Sequence, residues 1–175
     1  MVTLKGTSIY LRALEPEDLE FIYKVENDER VWEVSATQTP YSKFLIKQYL
    51  ENAQQDIYEA KQLRLVICTQ KDEVIGLIDM YDFNPTHLRA GVGILILDRD
   101  KRGKGYGTEA LKLLIKYGRT HLHLHQMHAA IAEDNKVSQE LFLKAGFKFI
   151  GQRKDWTMVN GSYKNENLYQ HIYVH

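Results

Sequence analysis

Two spacings of apolar positions alternate along the chain. "TSIYLRALE" puts branched and aromatic residues at every second place, as a half-buried strand does. Pro16 then opens "PEDLEFIYKVEND", which has helical spacing and carries Glu17 and Asp18 in its first turn, where the helix dipole favours them. Thr39-Pro40 is a second cap signature and predicts one amphipathic helix through "YSKFLIKQYLENAQQDIYEAKQ", with "ERVWEVSATQ" as the connection before it. "LRLVICT" and "EVIGLIDMYDF" flank the polar turn "QKDE" as a hairpin, and "RAGVGILILD" adds a strand ending near Asp98. A glycine loop then feeds the helix "TEALKLLIKYG", with Ala110, Leu111, Leu114 and Ile115 on one side and Gly118 as its stop. "MHAAIAED" predicts a strand, and Asn135 caps a helix, "KVSQELFLKAG", that ends at Gly146. "FKFIGQRKDWTMV" and "SYKNENLYQHIYV" run antiparallel about an Asn160-Gly161 hairpin turn. The fold class is α/β: one domain over residues 1–175, with a mixed, mostly antiparallel sheet of six or seven strands flanked by about four helices.

Composition narrows the function classes. Lysine plus arginine equals aspartate plus glutamate, at 23 each in 175 residues, so no overall basic field points to nucleic acid and any anion site must be local. The single Cys68 lies in an apolar run and reads as a small core residue; a disulfide within the chain is excluded. The N-terminus lacks an apolar signal core, and no window approaches 18 uninterrupted apolar residues, so a cytoplasmic protein without a membrane partner is expected. His121, His123, His125 and His128 crowd "HLHLHQMH", but on a continued helix they fan around the axis, so no metal site is expected.

The loop "DRDKRGKGYGT" sets three glycines and basic residues between a strand and a helix N-terminus. That geometry suits a phosphate, because first-turn N–H groups lack partners and glycine lets a ligand approach the backbone. It is neither a Walker A loop, which needs Lys-Ser/Thr after the last glycine, nor a dinucleotide fingerprint, since the spacing is GxGxG.

"RGKGYG", Arg102 to Gly107, resembles the Q/R-x-x-G-x-G/A signature of the GNAT superfamily of N-acetyltransferases. Downstream, "NKVSQELFLKAGF" is similar to that family's N-x-x-S/A-x-x-L-Y-x-K-x-G-F block. The opening "IYLRALEPEDLEFIYKVEND" resembles the ribosomal-protein and polyamine branches. The resemblance implies acetyl-coenzyme A as cosubstrate, its pyrophosphate on Arg102, Gly103, Lys104, Gly105, Tyr106, Gly107 and Thr108. Its pantetheine arm would lie along Ile94 to Leu97, with Leu95 and Leu97 as contacts, and Asn135 would reach toward it. It implies a small-molecule primary amine as acceptor, a polyamine or diamine such as spermidine, with a protein N-terminus as alternative. A coenzyme A-binding module with weak or no catalysis is a further alternative, and homo-oligomerisation is left open.

Two positions depart from the pattern. The family's tyrosine acid is here Phe142, and a glutamate common on the strand before the loop is here Gly91. Loss of a positioned acid or base slows such a reaction by roughly 10² to 10⁴ without abolishing it. Replacements are sought in "GLIDMYDF", where alternation puts Ile78, Met80 and Asp82 on one face and Asp79, Tyr81 and Phe83 on the other. Asp79 and Asp82 resemble acceptor-site acids of spermidine acetyltransferases and are candidates for catalysis and substrate binding. Glu33 is a third acidic candidate for the acceptor side, and Tyr163, Tyr169 and Tyr173 are aromatic ones.

Overall fold

A computed structural model describes residues 2–53, 55–97 and 99–174; Asp98, where the fourth strand was expected to end, lies outside them. Among the described residues, seven strands form one sheet: β1 (Ile9–Ala13), β2 (Leu63–Thr69), β3 (Val74–Asn84), β4 (Arg89–Ile96), β5 (Gln126–Ala132), β6 (Lys148–Val159) and β7 (Ser162–Ile172). Their spatial order is β1-β2-β3-β4-β5-β7-β6, and every neighbouring pair is antiparallel except β4 with β5.

Among the described residues, six α-helices flank the sheet: α1 (Leu19–Glu26), α2 (Glu29–Ser35), α3 (Lys43–Asn52), α4 (Ile57–Ala60), α5 (Tyr106–His121) and α6 (Lys136–Lys144). On one face, Leu111 and Leu114 of α5 and Phe142 of α6 pack with Ile78, Met80, Met127 and Phe147. On the other, Ile22 and Val25 of α1 and Ile46 of α3 close over Val66, Cys68 and Leu77. The single cysteine is therefore buried in an apolar layer.

Four local expectations give way, each to a competing interaction. The long second helix is broken: Ser42, rather than Thr39, caps α3 by accepting from Leu45 N (3.1 Å), and Asp56 recaps the chain as α4 by accepting from Tyr58 N (2.7 Å). The connection "ERVWEVSATQ" holds α2, capped by Asp28 and closed at Ala36 with φ 56°. Gly118 does not stop α5, which runs to His121. A side chain at Gly118 would press on Met127, the Tyr173 hydroxyl (2.9 Å) and Leu124 (3.0 Å), so glycine there permits close packing rather than a turn. Finally, strict alternation fails in β3. The β3–β4 register shifts between Tyr81 and Asn84, and Asp82 adopts φ 49°. This bulge turns Phe83 into the core with Ile78 and Met80, where its N–H reaches the Lys61 carbonyl (2.9 Å), so Phe83 does not share a face with Asp79 and Tyr81.

Candidate active site

The functional geometry begins where the sheet splits. β4 and β5 pair only at Arg89–Gln126, Ala90–Met127 and Gly91–His128; beyond Gly91 each strand keeps only its outer neighbour. The backbone from Val92 onward thus faces a notch on its β5 side, with polar groups available to an extended ligand. α5 starts at the mouth of this notch and α6 lines its side.

At the mouth, Gly103 and Gly105 adopt φ 74° and 81°, a region open to glycine, and no atom lies within 4 Å of where a side chain would stand. Gly105 is the N-cap of α5 and no side chain caps the helix, so its first N–H groups face a cavity of about 490 Å³. Leu95, Leu97, Arg102, Gly103, Gly105, Tyr106, Gly107, Thr108 and Asn135 all border it. Lys104 does not: it is exposed at the loop tip. Two of these side chains are already engaged. Arg102 Nε donates to the Ile96 carbonyl (3.0 Å), tying the loop to β4, and Asn135 Oδ1 caps α6 by accepting from Ser138 N (3.2 Å). Gly107 is buried where a side chain would meet Leu141, which brings α5 and α6 together behind the cavity. Glycines with open space, an uncapped helix start and a basic rim suit a pyrophosphate.

The second cavity, about 850 Å³, lies between α1, α2, α3 and strands β2 to β4. Its charged centre is Arg64, whose Nε and Nη2 donate to Asp79 (2.7 and 3.2 Å) and whose Nη1 donates to Glu26 (2.8 Å). Burial disfavours the guanidinium charge, but Asp79 and Glu26 outweigh it and hold Arg64 protonated. Asp79 therefore borders this cavity as half of an ion pair. Asp82, extruded by its bulge, is exposed, and its charge acts on Tyr81 and His128. Tyr81, on β3, packs its ring over β4, filling the space above Gly91. Burial, then the charges of Asp82 and Glu166, raise its pKa and keep the phenol protonated.

A third cavity, about 350 Å³, occupies the notch and shares Gly93 and Ile94 with the second. Phe142 borders it, buried and edge-on to Phe147 with ring centres 5.0 Å apart. Glu33, on α2, meets Lys164 of β7 (2.6 Å), which also bonds Asp134 (2.7 Å); the two carboxylates hold the ammonium charged. The three tyrosines separate. Tyr169 is buried and donates to Gln139 (3.0 Å), Tyr173 is buried and donates to the Ile115 carbonyl (2.7 Å), and Tyr163 is exposed, so Tyr169 and Tyr173 serve the core. The histidines disperse too: His121 bonds Thr3 (3.0 Å), and His128 stands edge-on to Tyr81.

Sequence reasoning misses Arg64, Glu26 and Lys164, whose partners are distant in the chain. One signal was present: glycines at Gly91 and Gly93 opposite an aromatic strand position mark a close approach.

Residues 8–148 match the acetyltransferase (GNAT) domain family. The chain is 29% identical over 173 residues to the spermidine N(1)-acetyltransferase of Escherichia coli, covering 95% of this chain and 89% of that protein. It is 27% identical over 160 residues to the Vibrio cholerae enzyme of the same name, covering 91% and 90%. A ribosomal-protein-serine acetyltransferase of Escherichia coli is 27% identical over 116 residues, 66% of this chain and 64% of that one. Among solved structures, the spermidine N-acetyltransferase of Vibrio cholerae in complex with coenzyme A and spermine superimposes with a TM-score of 0.85 at 23% identity, covering 95% and 96% of the two chains, which establishes the shared fold.

Proposed function

The chain belongs to the GNAT acetyltransferase family, and from that premise we propose that it moves the acetyl group of acetyl-coenzyme A to a polyamine or diamine such as spermidine. The observation that carries this reading is a division of charge about the notch. Among the described residues, the cavity at the start of α5 is bordered by four cations (Arg30, Lys101, Arg102, Lys144) against two acids (Asp28, Glu140). The notch and the cavity over β2 to β4 are together bordered by five acids (Glu26, Asp79, Glu33, Asp134, Glu166) against two cations (Arg64, Lys164). One side suits a polyphosphate; the other, with a surplus of three negative charges and the exposed Asp82 nearby, suits a polycation. The full-length similarity to spermidine acetyltransferases supports the same reading.

A thiol-release assay across spermidine, spermine, putrescine and an N-terminal peptide tests it. Spermidine is the expected acceptor, and its KM rises severalfold from roughly 50 to 300 mM salt as the carboxylates are screened. Asp82→Asn raises that KM by about two- to fivefold, the worth of one exposed charge, and leaves the KM of acetyl-coenzyme A in place. If all three polyamines are inert and the peptide is acetylated, the acceptor is a protein N-terminus.

A further inference from the structure

At the notch the family's tyrosine position is Phe142, a hydrocarbon ring, and the Lys164 ammonium that also borders it is held by Glu33 and Asp134. Proton balance still requires a donor: as the amine nitrogen bonds to the acetyl carbon and the carbon–sulfur bond breaks, nitrogen gives up a proton and sulfur gains one.

Tyr81 is placed for this exchange. Across the β3–β4 ladder it stands opposite Gly91, and Asp79 opposite Gly93. A side chain at Gly91 would overlap the Tyr81 ring edge at Cε2 and Cζ, and one at Gly93 would touch Cε1 at 4.0 Å. The ring therefore lies across β4, its edge against Gly91 and its Cε1 nearest Gly93. Gly93 is where the acceptor cavity and the notch meet. The charges acting on the phenol come from both sides: Asp79 and Asp82 of its own strand, Glu166 of β7 and Arg153 of β6. A tyrosine at this place needs glycine at position 91, whereas a side chain at position 93 would make only ordinary contact with the ring.

We propose that Tyr81 is the proton donor of this enzyme: its O–H passes to sulfur as the carbon–sulfur bond breaks, and its oxygen recovers a proton from the nitrogen that has become the amide. The inference rests on acetyl transfer at this notch and is independent of which amine is the acceptor.

Tyr81→Phe keeps the ring on Gly91 and removes only the hydroxyl. At saturating acetyl-coenzyme A and amine, turnover falls by about 10²-fold. Both KM values and the calorimetric affinity for acetyl-coenzyme A stay within about twofold and the melting temperature within about a degree or two, because only one hydroxyl is removed and the ring is kept. Gly91→Ala, which pushes the ring off the strand, lowers turnover as well, and the double variant Tyr81→Phe/Gly91→Ala is no slower than the slower single one, since both remove the same group. Turnover of Tyr81→Phe within threefold of the parent overturns the proposal, as does a loss seen in Ser138→Ala but not in Tyr81→Phe. Lost affinity for acetyl-coenzyme A in Tyr81→Phe would instead show that the residue shapes the binding site, which also overturns it. If the parent protein binds acetyl-coenzyme A but acetylates no amine, the acetyl-transfer premise is at fault.

Discussion

Arg64→Met tests whether the acceptor cavity is organised by charge. The guanidinium makes three short contacts, 2.7 and 3.2 Å to Asp79 and 2.8 Å to Glu26, and the three side chains are 27%, 29% and 18% exposed. Removing one partner of a fully buried ion pair costs about 3–5 kcal/mol, and an exposed pair is worth about 0–1 kcal/mol. Partial exposure puts Arg64→Met between them, at about 2–3 kcal/mol. For a chain of this size each kcal/mol moves the melting temperature by about 2–4 °C, so a drop of about 4–12 °C is expected at pH 8. The two carboxylates left facing each other without a cation take up protons more readily folded than unfolded. The folded state of the variant then binds more protons than its unfolded state, and its stability rises as pH falls. The deficit relative to the parent therefore shrinks between pH 8 and pH 5. Methionine preserves most of the aliphatic stem, so lost packing contributes little. Thermal unfolding of both proteins at the two pH values, with and without millimolar spermidine, is the assay. Spermidine should raise the melting temperature of Arg64→Met more than that of the parent, because an ammonium can occupy the place between Asp79 and Glu26. An equal deficit at both pH values would show that packing, not charge, is lost. A spermidine shift no larger in the variant would remove this cavity as the polyamine site.

Two further outcomes follow from the notch and its mouth. Gly105→Asp sets a carboxylate and a side chain at φ 81° into the start of α5; it should abolish the rise in melting temperature that acetyl-coenzyme A gives the parent, and an unchanged rise would displace the pyrophosphate from this loop. Phe142→Tyr adds one hydroxyl to a ring that borders the notch; turnover should rise by at most roughly tenfold in the parent and by more in the Tyr81→Phe background, measured by thiol release, and loss of coenzyme binding would show that this edge faces protein instead.

What could be read from the sequence was what short-range backbone geometry demands. Asn160 and Gly161 take φ 48° and 79°, as their hairpin turn requires. Gly103 and Gly105 take the left-handed φ of 74° and 81° open to glycine, and Asn135 caps α6 with its own side chain. Each is settled within a few residues, so the strands, α1, α5, α6 and the glycine loop were legible along the chain. Tertiary structure decided the rest, because the partners lie far apart. Glu26 finds Arg64 across 38 positions and Glu33 finds Lys164 across 131, so whether a carboxylate is free or paired cannot be read beside it. The faces of Asp82 and Phe83 were misjudged for a related reason: alternation holds only while the ladder is unbroken, and the bulge arises where Phe83 gains the core and the Lys61 carbonyl. The notch itself exists because β4 holds to β3 and β5 to β7 more extensively than to each other. That contest is among four strands at once, and no local pattern of residues encodes it.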